Sequence, residues 1–155
     1  MKNLGYGDNS YQTAPVAAIE YFADNPDNVI NRVQDLTRKE LTAVFSNNAW
    51  LKFTLLITWN GDKPEERLQG GPVQIPSRLG LRYFQFDTIK INIVKAFNIA
   101  AEALPNGEHF IGNVSLYWVL HPGVGEPSYE FRTNTYGVIR VGAYTGKVEV
   151  PETVA

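Results

Sequence analysis

Alternation with a period of two constrains this chain more than any other feature. In WLKFTLLITWN (50–60), Leu51, Phe53, Leu55, Ile57 and Trp59 alternate with Lys52, Thr54, Leu56, Thr58 and Asn60. That is the pattern of a strand with one buried face, and Asn60-Gly61-Asp62 adds a turn signal after it. In NVSLYWVLH, Val114, Leu116, Trp118 and Leu120 share one face, and Ser115, Tyr117, Val119 and His121 the other. SYEFRT sets Tyr129, Phe131 and Thr133 against Glu130 and Arg132, and TYGVIRVGAY and YTGKVEV turn back after it. LGLRYFQFD (79–87) reads as a further strand, and PVQI within the Pro-rich stretch from Lys63 to Ser77 as an irregular edge strand.

Apolar residues at helical spacing predict the remaining elements. Thr13 to Ala23 reads as a short helix with Thr13 as cap and Pro15 in its first turn. DNPDN (24–28) then stops it and starts another, carried by Val29, Val33, Leu36, Leu41, Val44 and Phe45, with a restart or bend at the capping-box pair Thr37 and Glu40. Ile93, Ala96, Phe97, Ala100 and Leu104 predict a third helix, ended by Pro105-Asn106-Gly107. The expected fold class is α+β: an antiparallel sheet with helices packed on one face, in a single domain over 1–155. The element order also permits two helix-then-strands repeats, 14–88 and 89–150.

Lys+Arg 14 against Asp+Glu 16 leaves a formal charge of -2, so no large electrostatic attraction to nucleic acid is expected. The absence of Cys removes disulfides, thiolate metal sites and thiol nucleophiles. Met1 is followed by KNLGYGDNSYQTAP without an apolar run, so no signal peptide is expected and the compartment stays open between cytoplasmic and mature secreted. The apolar segments are strand-length, and no membrane insertion is expected.

From Lys90 onwards the text is similar to a PepSY domain. KINIVKAFNIAAEAL supplies the Ala-rich helix, Tyr129-Glu130-Phe131 the first strand signature, and Val141-Gly142-Ala143-Tyr144-Thr145-Gly146-Lys147-Val148 the second. The family more often has Asp where this chain has Gly142. The resemblance implies a small sheet with a helix on one face and a protein-binding or inhibitory role, with no catalytic residues carried over. Tandem sheets of similar build occur in the β-lactamase inhibitor protein, a likeness of fold alone. Thr145-Gly146 also reads simply as a tight turn.

Candidates for chemistry are few. His109 and His121 bracket one strand, on the order of 40 Å apart at ~3.3 Å per residue, so they are not expected to share a site. Glu65-Glu66 reads as part of a solvated loop, Glu108-His109 as surface beyond a helix end, and the loop around Arg78 lacks the ending of a phosphate-binding loop. Glu130 or Arg132 is expected to face Arg140 across paired strands.

The leading expectation is a non-enzymatic protein-binding or inhibitory module, without metal or cofactor, working through an exposed aromatic and arginine sheet face. Its candidate residues are Tyr117, Trp118, Tyr129, Arg132, Tyr136, Arg140 and Tyr144, types that dominate interface hot spots. Alternation allows only some of them to face outwards, and Trp118 also suits a core position on Phe97. The alternatives are a small apolar or sugar ligand held between helix and curved sheet, as binder or enzyme, and a homo-oligomer formed by edge pairing.

Overall fold

The computed structural model describes residues 14–45, 48–69, 72–78 and 80–151. Its strands are β1 (Pro15–Phe22), β2 (Val29–Ile30), β3 (Arg38–Val44), β4 (Trp50–Asn60), β5 (Lys63–Leu68), β6 (Val73–Ile75), β7 (Leu81–Arg82), β8 (Phe84–Gln85), β9 (Phe110–Val119), β10 (Ser128–Thr133), β11 (Val138–Gly142) and β12 (Val148–Glu149). They form one antiparallel sheet with the main path β12-β11-β10-β9-β1-β3-β4-β5. Two meanders therefore run outwards from the central β1–β9 pair.

This architecture overturns the α+β expectation of several helices on a sheet. Among the described residues there is one α-helix, α1 (Ile93–Glu102). The stretch expected to be the first helix is β1, with Thr13 outside the described residues. Val16 through Ile19 are all buried, because the register shifts between Val16 and Ala18, so that Ala17 packs on Val44 and Trp50 while Val16 and Ile19 join the main core. A strand buried on both sides loses its alternation, and the two alanines at 17 and 18 then imitate a helix. The second expected helix is divided among β2, a single 3₁₀ turn at Val33–Asp35, and β3. DNPDN is a turn: Asn25 Oδ1 accepts from Asp27 N and Val29 N, and Asn28 takes φ +54°. Asp35 then accepts from Asn31 N and Arg32 N, which holds Val33 and Leu36 in the core by a turn rather than by a helix.

The Asn60-Gly61-Asp62 turn closes a hairpin, so KPEERL is the edge strand β5. The stretch expected as one strand divides at Tyr83: β7 joins β9, and β8 joins β1. α1 begins where expected, with Asn92 Oδ1 accepting from Lys95 N at 2.9 Å.

Register sorts the side chains into two faces. The inner face carries Val141, Tyr129, Leu116, Ile19, Leu41 and Phe53 in one cross-strand row. It is covered by α1, whose Phe97 ring meets Phe110 at 5.4 Å and Phe131 at 6.1 Å. The outer face carries the row Glu149, Arg140, Glu130, Ser115, Glu20, Glu40 and Thr54. Its central carboxylates each have a partner: Arg140 for Glu130, Asn113 for Glu20, and Arg38 with Lys52 for Glu40.

The inner face also holds a charge. Lys39 is 2% exposed; its Nζ donates to both oxygens of Glu66 at 3.0 Å and lies 4.8 Å from the Phe86 ring centre. Glu65-Glu66 is therefore not a solvated loop but part of β5. Among the described residues, no helix is long and apolar enough to cross a membrane.

Candidate functional site

The next row of the outer face explains where the sheet opens. Gly142, Ser128, Tyr117 and Ala18 are successive cross-strand neighbours. Three of the four are small, so a hollow is left beside the Arg140–Glu130 row. The connection from β9 to β10 folds over it, and the result is a cleft of about 320 Å³ lined by Tyr117, Val119, His121, Val124, Ser128, Glu130, Arg140 and Glu149. A smaller hollow of about 130 Å³ continues towards Lys147 and shares Val124, Ser128, Arg140 and Glu149 with it.

The polar floor is fixed. Tyr117 Oη donates to Glu130 Oε2 at 2.6 Å, and Arg140 Nε donates to the same oxygen at 3.1 Å. Burial and then the Glu130 carboxylate push the Tyr117 phenol up to about 12, against the opposing charges of Arg140 and Arg78. Tyr117 therefore remains a neutral donor at physiological pH.

The wall is fixed at three points. The Trp118 indole N–H donates to Val124 O at 3.0 Å from the inner side of β9. His121 Nδ1 accepts from Gly123 N at 3.2 Å. Glu126 accepts from Tyr144 N and Thr145 N at 2.9 Å and from Thr145 Oγ1 at 2.7 Å, which ties the end of the wall to the turn between β11 and β12. Burial alone would raise the Glu126 carboxyl, but these hydrogen bonds, aided by Lys147, hold it below the usual range. Gly142 makes room for this carboxylate: a side chain there would need the space the Glu126 carboxyl fills.

The seven expected surface residues separate into different environments. Tyr117 and Arg140 meet in the cleft, and Arg132 is exposed further along the same face, opposite Val138. Trp118 points to the other face, half-buried at the core margin; its ring contacts Tyr144 at 5.9 Å, edge to face, and Arg82 lies over it at 5.2 Å. It does not pack on Phe97 as expected; Phe110 and Phe131 fill that position. Tyr144 hydrogen-bonds Thr88 and lines a separate open hollow with Tyr83, Phe84 and Trp118. Tyr129 is buried in the core, 1% exposed, with its hydroxyl donating to Ile91 O at 2.7 Å, so it cannot serve a surface. Tyr136 sits at the far end, where Glu108 accepts from its backbone N and from Thr135.

Sequence reasoning paired Arg140 with Glu130 or Arg132; the register selects Glu130. It missed Ser128, Val124, Glu149 and the wall-holding role of Glu126. Ser128 and Glu149 follow from alternation once the strand pairing is known. Glu126 carries no local signal, because its partner Thr145 is 19 residues away. His109 and His121 lie beyond opposite ends of β9. Among the described residues no group of three or more His, Asp or Glu side chains converges to hold a metal ion. Comparison with family models, with curated proteins and with solved structures finds no match to this chain.

Proposed function

We propose that this chain is a non-enzymatic protein-binding module whose contact surface is the outer face of the β9–β10–β11–β12 meander, centred on the cleft. The observation that carries the reading is the Tyr117–Glu130–Arg140 cluster: a positioned polar floor beneath an opening with apolar walls, on an otherwise charged sheet face. Interfaces concentrate their energy in such Tyr and Arg anchors, and a floor already fixed by hydrogen bonds loses little entropy when a partner arrives. Val119 lines the cleft, 39% exposed, and supplies apolar contact. The likeness of residues 129–131 and 141–148 to the PepSY signatures favours the same reading.

The polar groups favour positioning over reaction. The His121 Nδ1 is engaged with Gly123, and the Tyr117 phenol is pushed away from the range useful to a general base at neutral pH.

A small-ligand reading is favoured by the size of the cleft, which falls within the range of small-molecule sites. Its place is then the outer face, since Phe97, Phe110 and Phe131 fill the contact between α1 and the sheet. Edge pairing has less support: β5 carries Lys63, Pro64, Glu65, Glu66 and Arg67, and β12 is two residues long and followed by Pro151, features that blunt sheet edges.

The test is capture of partners from native extract and culture fluid on the immobilised chain, read by mass spectrometry. One stoichiometric protein, lost with a Tyr117→Ala, Arg140→Ala variant that keeps its fold, is the expected result. A well-folded bait that retains nothing would overturn the reading.

A further inference from the structure

Arg140 is the pivot of the cleft, since it lines both hollows. Among the described residues its hydrogen bond runs from Nε to Glu130, which anchors the guanidinium at that nitrogen and leaves the two Nη groups without a partner. Glu149 is its cross-strand neighbour on β12, yet no ion pair joins them. Lys147, exposed at the far lip, likewise forms no ion pair among the described residues. His121 accepts at Nδ1, so the neutral imidazole carries its proton on Nε2 and is a donor there. Val119 and Val124 form the apolar walls.

An arginine held through Nε presents its Nη pair as a fork, and a fork of this kind matches the two oxygens of a carboxylate. The adjoining apolar walls ask for a hydrocarbon group close to that carboxylate. A chain's terminal residue places both on one carbon, which suits a cleft of about 320 Å³. We propose that the cleft receives the free C-terminal carboxylate of a partner chain ending in an apolar residue, seated on the Arg140 Nη groups with the side chain between Val119 and Val124. The proposal rests on the protein-binding reading for its source of ligand, and its chemistry can be tested separately.

Glu149 gives the proposal a sign. Its carboxylate faces the same Arg140, so it opposes an anionic guest and would favour a cationic one.

The test uses the full chain, labelled with ¹⁵N and followed by NMR, with N-acetyl-leucine as probe and N-acetyl-leucinamide and N-acetyl-aspartate amide as comparisons. N-acetyl-leucine should shift the amides of Val124, Gly125, Ser128 and Arg140 saturably. Both comparisons should bind roughly tenfold more weakly, the scale of one charge-assisted hydrogen bond. Arg140→Lys keeps the charge and loses the fork, and should weaken the probe by about tenfold; Glu149→Gln should tighten it severalfold. No binding, equal binding of the acid and leucinamide, indifference to Arg140→Lys, or weaker binding by Glu149→Gln would each overturn the carboxylate site. Equal binding of the aspartate amide would overturn the C-terminal source. The two readings also fail separately. Acid binding with no captured protein would remove the protein-binding reading and leave the carboxylate site standing. A partner captured equally well by Arg140→Lys would do the reverse.

Discussion

The carboxyl group of Glu126 occupies the space that a side chain at position 142 would need. A Cβ built on Gly142 would meet the Glu126 carboxyl carbon at 2.5 Å, closer than two such atoms approach. Gly142 is buried and carries no positive φ, so its requirement is spatial rather than conformational. The displaced group would be a carboxylate that accepts three hydrogen bonds from Tyr144 and Thr145.

Gly142→Ala is therefore expected to destabilise the fold by ~2–3 kcal/mol, as overpacking and the lost hydrogen bonds combine. The check is urea denaturation of Gly142→Ala, Glu126→Ala and the double variant. The double variant should be more stable than the sum of the two single losses predicts, because the clash vanishes with the carboxylate. Strict additivity would contradict the contact.

Acid should loosen both ends of the β9–β12 meander. Hydrogen bonds from the Thr135 hydroxyl and backbone, aided by Tyr136 N, hold the Glu108 carboxyl below its usual range, and Glu126 is held low as described. A carboxyl lowered in the folded state stabilises it above the unfolded value of about 4.3. That contribution disappears as pH falls through the lowered folded values. The urea midpoint should thus fall between about pH 5 and pH 3, and a Glu108→Gln, Glu126→Gln variant should start lower at pH 7 and change less. Equal slopes for both proteins would show that these two carboxylates are not responsible.

Tyr129 should behave as a core residue. Burial pushes its phenol well up, and its hydroxyl satisfies Ile91 O inside the protein. Tyr129→Phe should cost ~1–2 kcal/mol for the buried carbonyl left without its donor, and Tyr129→Ala ~3–5 kcal/mol for the cavity. Thermal unfolding checks both. A Tyr129→Ala protein with unchanged melting temperature would return the residue to the surface.

Lys39 and Glu66 make the most asymmetric prediction. Removing only the Glu66 carboxylate leaves a buried ammonium without its counter-charge, at a cost of ~3–5 kcal/mol. Lys39→Met, which removes the buried charge and retains the bulk beside Phe86 and Tyr21, should be near neutral or stabilising. Chemical denaturation of Glu66→Ala and Lys39→Met separates the two. Similar losses in both would mean that the pair stabilises the fold in its own right.

Much of the site's raw material was legible in the chain. Alternation placed Tyr117 and Trp118 on opposite faces, and likewise Tyr129 and Arg132. It could not say which face is inner, since that depends on where α1 lies. Tyr117 and Arg140 were therefore recognisable as candidates beside Tyr129, although only the first two reach solvent.

Residue order alone was enough for the elements with a one-sided environment: β4, β9, β10 and α1. There burial on one face and solvent on the other write a period of two or 3.6 into the residues. The tertiary structure alone decided β1 and β3, the hairpin partner of β4, and the cleft. β1 lies between β9 and β3, and coverage on both faces erases its period. Lys39 breaks the apolar face of β3 because Glu66, 27 residues onward, compensates it. The cleft arises where Gly142, Ser128 and Ala18 come into one row and Glu126 reaches across to Thr145. These pairings are non-local, and the residues that make them carry no local mark of their partners.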